Sequence, residues 1–152
     1  MHLGWAYEKI EQKEKALNEV LKLIKLEPFN YESHYTAGRI QSDLGQFEEA
    51  IESLKKSINL DPEFGGSYYR LGIVNDNLNK GVEAISNLLI AEIIYHKNRK
   101  MDLYKKMGLH LITLFEKYKL SRKNFTGLKL PETLKLSLIH ISEPTRRYAI
   151  AY

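Results

Sequence analysis

The sequence predicts an all-α fold, an α-solenoid built from antiparallel helix pairs. Two observations support this prediction: apolar residues recur at helical spacing along most of the chain, and the sequence repeats with a period of 34 residues. Prolines and several glycines lie between the apolar segments, where they end one helix and precede the next. Because such connections are short, consecutive helices lie side by side in opposite directions. We therefore expect about three helix pairs followed by one further helix.

The repeat is carried by residues at fixed positions within each period. A small residue in the first helix and another in the second helix let the two helices approach closely. A proline after the second helix prevents that helix from continuing. The repeated small residues are Gly4, Gly38 and Gly72 in first helices and Ala16, Ala50 and Ala84 in second helices, and the repeated prolines are Pro28 and Pro62.

These positions resemble the tetratricopeptide repeat, in which a Leu-Gly pair is followed by an aromatic residue, an alanine and a terminal proline. The aromatic residue is retained only as Tyr7, because Gln41 and Asn75 occupy the next two equivalent positions. The resemblance implies units at about 1–30, 31–64 and 65–98, with a partial unit at 101–118.

The predicted helices follow these units in order. After 101–118 no second helix is expected, because Gly127 and Pro131 interrupt the pattern, so 119–135 is predicted to be an irregular basic segment. The expected helices are 2–11 and 14–27, 31–44 and 47–60, 65–78 and 81–97, and 101–118.

The last seventeen residues are expected to lie outside the natural fold. The segment LSLIHISEPTR, residues 136–146, resembles the in-frame translation of a transposase adapter used to prepare sequencing libraries. We therefore interpret 136–152 as an adapter-derived tail and leave it out of the fold arguments. The first helix also lacks the opening turn of a repeat, so we expect the natural protein to be longer than this chain.

Composition limits the possible functions. The 152 residues are 43% hydrophobic and 28% charged, as in soluble globular domains, and include no cysteine for a disulfide, a thiolate metal site or a nucleophile. No apolar stretch reaches the roughly 18 residues of a membrane helix. The start of the chain, MHLGWAYEKIEQKEK, lacks the pattern of a secretory signal, so we expect a cytoplasmic protein.

No motif indicates catalysis. The five histidines lack the spacing of metal ligands, and Gly65-Gly66 lacks the Lys-Ser or Lys-Thr of a phosphate-binding loop. The acidic pair Glu48-Glu49 is explained by a favourable interaction with a helix N-terminus. We predict that the protein is not an enzyme and uses neither a metal nor a cofactor.

The resemblance to tetratricopeptide repeats implies a groove, lined by first helices, that binds an extended peptide or a partner helix. Tyr35 and Tyr69 are one period apart, and their rings would grip a ligand at low entropic cost, with basic side chains nearby. The family's clamp for chaperone C-termini is not matched, because Arg70 occupies a position that requires asparagine. The predicted peptide-binding residues are Tyr35, Arg39, Tyr69, Arg70, Ile73, Lys105 and Lys106.

We therefore predict a non-catalytic scaffold for protein or peptide partners. The alternative is an accessory arm of a larger enzyme, for example a glycosyl- or sulfotransferase, which the sequence of the full-length parent gene would reveal. Nucleic-acid binding ranks last: residues 97–135 carry eleven basic and three acidic residues, but they lack base-reading chemistry. We also expect self-association through helix 101–118, whose apolar residues occupy two registers.

Overall fold

The computed structural model describes residues 2–138, and within this part of the chain every regular element is helical. The all-α fold class predicted from the sequence is therefore confirmed. The chain divides into two compact units, Met1–Asp61 and Pro62–Tyr152. The first unit contains α1 (His2–Leu26), α2 (Tyr31–Asp43) and α3 (Phe47–Leu60), and the second contains α4 (Gly65–Asn77), α5 (Gly81–Lys97), α6 (Met101–Tyr118), a 3-10 helix (Arg122–Phe125) and α7 (Glu132–Leu138). The helices α2 to α6 lie within one residue of their predicted bounds.

In the first unit, α2 and α3 form an antiparallel pair around a glycine. The Ser57 hydroxyl, near the end of α3, donates a 2.9 Å hydrogen bond to the Tyr31 carbonyl at the start of α2. A Cβ atom on Gly38 would lie 2.6 Å from Leu54 Cγ and 3.2 Å from the Ala50 carbonyl oxygen. The two helices can therefore cross this closely only because residue 38 has no side chain.

In the second unit, α4 and α5 repeat this arrangement 34 residues later. A Cβ atom on Gly72 would overlap Leu88 Cδ1 and lie 3.1 Å from the Ala84 carbonyl oxygen. A loop contact also recurs, because Tyr68 donates a 2.9 Å hydrogen bond to the Pro62 carbonyl where the His34 ring binds the equivalent carbonyl in the first unit. The helix packing therefore repeats with the same 34-residue period as the sequence.

The turns inside these pairs depend on residues in the left-handed backbone region. Gly45 follows α2 with φ +77°, and Asn79, one period later, follows α4 with φ +56°. In both turns the backbone N–H of the following residue, Gln46 or Lys80, donates a hydrogen bond to the carbonyl five residues earlier. The distances are 2.9 Å and 2.8 Å. This geometry satisfies the last carbonyl groups of the helix and reverses the chain.

The predicted pair of helices at 2–11 and 14–27 is wrong, because α1 is one continuous helix. The residue one period before Gly45 is Glu11, which has no preference for a left-handed turn and favours helix instead. Lys15 forms a 2.8 Å ion pair with Glu11 across the predicted turn, at a spacing that supports a helix. The local sequence EQKEK therefore continues the helix.

The buried contact of α1 with the rest of its unit comes from its second half. Leu17 is buried with Ala37 and Ile40 of α2. In the first half, the Leu3 side chain is 69% exposed. A Cβ atom on Gly4 would meet nothing within 4 Å, unlike the equivalent atom on Gly38.

The predicted irregular segment 119–135 is in fact partly helical and partly buried. Asn124 and Ser121 form a capping box that starts the 3-10 helix, and Phe125 at its end is buried. The Phe125 ring contacts that of Phe115 on α6, with 6.1 Å between centroids. The predicted adapter-derived tail lies outside the described residues, except for 136–138, which complete α7.

Candidate functional site

The helices α4 and α6 lie side by side in the second unit and run in the same direction, because both pack antiparallel to α5. The Tyr69 ring on α4 contacts the His110 ring on α6, and Asp76 at the end of α4 binds Lys117 at the end of α6. The two first helices therefore form a continuous side-chain surface. We call it the α4–α6 surface and define it by Tyr69, Arg70, Ile73 and Asp76 of α4 and by Lys106 and His110 of α6.

Tyr69 lies at the centre of this surface and is held by two neighbours. Its ring meets His110 edge-on, with 5.9 Å between ring centroids and 72° between planes. The ammonium group of Lys106 lies 5.3 Å from the centre of the Tyr69 ring, within the range of a cation–π interaction. The ring is half-buried, so it presents apolar area beside a positive charge with little freedom to move.

The His110 side chain favours its neutral form. Partial burial lowers its pKa below the usual 6.5, and the nearby Lys106 charge acts in the same direction, whereas Asp76 opposes both. A neutral imidazole can donate and accept hydrogen bonds at neutral pH. This part of the α4–α6 surface can therefore bind backbone groups of a ligand without adding positive charge.

Asp76 closes one end of the surface with a network of charged hydrogen bonds. Its carboxylate accepts hydrogen bonds from Lys117 at 2.7 Å and from the Tyr118 hydroxyl at 2.6 Å. Partial burial alone would raise the Asp76 pKa, but these two donors outweigh it and hold the pKa below 3.8. The hydrogen bond with Asp76 in turn raises the pKa of Lys117. These contacts join the C-terminal ends of α4 and α6.

Replacing Asp76 with asparagine is expected to lower the free energy of unfolding by about 1 kcal/mol at neutral pH, because it weakens hydrogen bonds to a charged group. The lowered pKa means that the carboxylate stabilises the folded state above pH 3.8 and loses this effect as the pH falls through the folded-state pKa. Urea unfolding at pH 7 and at about pH 2.5 should therefore show a difference that shrinks in acid. Exposed Glu8→Gln serves as the control, and a difference that persists in acid would contradict the assignment.

The structure brings together only some of the predicted peptide-binding residues. Tyr69 and Lys106 are in contact, and Arg70 and Ile73 lie half-buried on the same helix as Tyr69. Lys105 is exposed. It immediately precedes Lys106 on α6, and because an α-helix turns about 100° per residue, the two side chains project in different directions.

The remaining predicted residues, Tyr35 and Arg39, lie half-buried on α2 in the first unit. Arg39 lines a shallow groove between α1 and α2, together with Lys13 and Asp43, which are 3.8 Å apart. Arg39 therefore lies next to both a basic and an acidic neighbour.

His110 and Lys117 belong to the site but were not among the residues predicted from the sequence. Each contacts a residue of α4 that is 41 positions earlier in the chain, and this distance differs from the 34-residue period. The third repeat, 65–98, is longer than the first two and shifts the register of α6. Adding 34 to a residue number of α4 therefore does not give its contact on α6. In the sequence, the only indication of their role is that they lie on helix 101–118 beside its apolar residues.

Between residues 2 and 138, no group of three or more histidine, aspartate or glutamate side chains is placed to hold a metal ion. None of the helices in this part of the chain is long and apolar enough to cross a membrane.

Helix pairs that recur along the chain and pack in the same way in each copy define the class of helical repeat proteins. Residues 1–30 and 31–64 each match the sequence model of the tetratricopeptide repeat. Residues 1–64 thus carry the sequence of two tetratricopeptide repeats, and repeats of this family generally mediate protein–protein interactions. The chain matches none of the curated proteins with which it was compared.

Proposed function

We propose that the protein is a non-catalytic scaffold that binds an extended peptide or a partner helix through its first helices, with the cytoplasm as its compartment. The observation that carries this proposal is the α4–α6 surface, on which the Tyr69 ring is held between His110 and Lys106. A fixed aromatic ring beside a cation is a typical anchor of protein interfaces. The alternative, an accessory arm of a larger enzyme, would use the same surface.

The chemistry of the α4–α6 surface suits a ligand with apolar and acidic side chains. Tyr69 and Ile73 offer apolar area, while Lys106 supplies positive charge beside the Tyr69 ring. The acidic Asp76 is already bound to Lys117 and Tyr118, so its charge is largely neutralised. A ligand that approaches this surface therefore meets an aromatic ring with a cation beside it.

Part of the basic charge in the C-terminal part of the chain already has acidic partners. Lys97 binds Glu63 and Arg122 binds Glu92. Lys135 likewise binds Glu132 of α7 at 2.6 Å. This pairing within the fold reduces the positive charge available to a phosphate backbone, so the charge distribution favours a protein ligand over a nucleic acid.

The double variant Tyr35→Ala with Tyr69→Ala is expected to lose most of its peptide binding, at least tenfold in affinity, because both aromatic anchors are removed. Binding would be measured on an array of random peptides, with the best peptides then titrated in solution. Circular dichroism would verify that the helix content is unchanged.

Tyr7→Ala provides a matched control, since Tyr7 is 65% exposed on α1 and is not one of the predicted groove residues. It should bind the selected peptides as the wild type does. If the double variant also bound them unchanged, the peptide site would have to lie elsewhere on the molecule.

A further inference from the structure

Six residues form a single exposed stripe on the outer side of α6 and its C-cap. They are spaced alternately by three and four residues, so they lie along one helix face. The opposite face of α6 carries the buried residues Met107, Leu111 and Leu114, which belong to the core of the second unit. We call the exposed set the outer stripe: Asp102, Lys105, Leu109, Ile112, Glu116 and Lys119.

The centre of the outer stripe is unusually apolar for an exposed helix face. The Leu109 side chain is 69% exposed and the Ile112 side chain is 57% exposed, one helical turn apart. Burying either side chain against another apolar surface would be favourable, because it would remove apolar area from water. The sequence predicted a second apolar register in this helix, and these two residues are the part of it that the fold leaves uncovered.

The charges of the outer stripe are arranged so that the stripe complements itself when reversed. From the start of α6 the order is acidic, basic, apolar, apolar, acidic and basic. If a second copy of α6 lies antiparallel, Asp102 faces the partner's Lys119 and Lys105 faces the partner's Glu116. Leu109 then faces the partner's Ile112. In a parallel pair in register, every charge would instead face an identical one, which is unfavourable.

We propose that the outer stripe is a self-association surface through which two copies of this chain pair α6 with α6 in antiparallel orientation. The twofold axis passes beside the midpoint between His110 and Leu111, so the same residues contribute from both copies. Leu109 and Ile112 from each copy form an apolar centre, and each ion pair occurs twice around it. The apolar centre supplies attraction, and the charges select the orientation and register.

The extent of this surface sets the strength of the association. A single helix pair of this length buries less than the roughly 1,200 Å² typical of stable complexes, so the dimer is weak and concentration-dependent. The outer stripe shares only Lys105 with the predicted peptide-binding residues, and the proposed peptide binding centres on Tyr69. Lys105, which the sequence assigned to peptide binding, acts here in pairing two copies.

Charge reversal tests the proposal on the full chain. Sedimentation equilibrium over a range of about 10 μM to 1 mM should show the wild-type mass rising with concentration. Lys105→Glu places a glutamate opposite the partner's Glu116, and Glu116→Lys places a lysine opposite the partner's Lys105. Each single variant should therefore associate at least tenfold more weakly than the wild type.

Two experiments in which association should be restored distinguish this arrangement from non-specific association. The double variant Lys105→Glu with Glu116→Lys restores both ion pairs in reversed order and should associate like the wild type. An equimolar mixture of the two single variants should form mixed pairs, although each variant alone is impaired. The matched control Lys123→Glu makes the same charge change on an exposed lysine outside the stripe and should associate as the wild type does.

Several results would overturn the proposal. One is a wild-type chain that stays monomeric up to about 1 mM. Another is association that the single charge reversals leave unchanged, as would happen if exposed residues of α1 were responsible. Failure of the double variant and of the mixture to recover, with helix content intact by circular dichroism, would equally exclude the antiparallel register.

Discussion

Replacing Gly38 with leucine should lower the free energy of unfolding by about 1–3 kcal/mol, the usual cost of overpacking a tight core. The new side chain would have to displace Leu54, and the Ala50 carbonyl of α3 blocks the remaining space at 3.2 Å from the Cβ position. Because the obstacle includes backbone, α2 and α3 could accommodate the change only by moving apart. Urea unfolding monitored by circular dichroism would measure the loss.

Gly4→Leu is the matched control, because Gly4 occupies the same repeat position one period earlier. A Cβ atom there meets nothing within 4 Å, and leucine has a higher helix propensity than glycine. The Gly4 variant should therefore be as stable as the wild type or slightly more stable. Equal losses for the two variants would instead indicate that the first half of α1 folds back onto its second half, as the sequence had predicted.

Replacing Arg122 with alanine should destabilise the second unit by about 2 kcal/mol, because it leaves a buried carboxylate without its guanidinium. The Glu92 side chain is only 3% exposed, and it accepts hydrogen bonds from both terminal nitrogens of Arg122, at 2.9 Å and 3.0 Å. The value is set below that of a fully buried pair because the Arg122 side chain is 44% exposed and therefore screened by water. Thermal and urea unfolding would measure the effect.

A double-mutant cycle isolates this interaction from other effects of the substitution. Glu92→Gln combined with Arg122→Ala should cost clearly less than the sum of the single changes, since the second change then removes an interaction that is already broken. Lys123→Ala, at the exposed neighbouring residue, should have little effect. Additive single effects would mean that the segment after α6 is held mainly by Phe125 rather than by the ion pair.

The period of the sequence was sufficient to predict α2 to α6, because their determinants are local or recur within one helix pair. Gly38 and Gly72 have no side chain where two helices cross, and Gly45 and Asn79 occupy turns that require a left-handed residue. Each of these requirements constrains the residue type at one position. A sequence that repeats them therefore specifies the helices and their pairing.

Local sequence also accounts for the one helix that departed from the repeat. The repeat positions in residues 1–30, including Gly4 and Ala16, predict a helix pair, but Glu11 stands where the next repeat, 31–64, has Gly45. A pattern of packing residues does not produce a turn where the turn residue itself is missing. The helix propensity of the connecting segment outweighed the repeat, and α1 is continuous.

The fold class, the helix pairs α2–α3 and α4–α5, and the aromatic and basic residues of the first helices could all be predicted from the sequence. Which side chains meet could not: Tyr69 contacts His110 and Lys106, and Glu92 binds Arg122. These contacts join elements 30 to 41 residues apart, and their spacing follows no period. The physical reason is that a helix specifies its own side-chain directions, whereas its rotation and position against neighbouring helices depend on how all their side chains pack together.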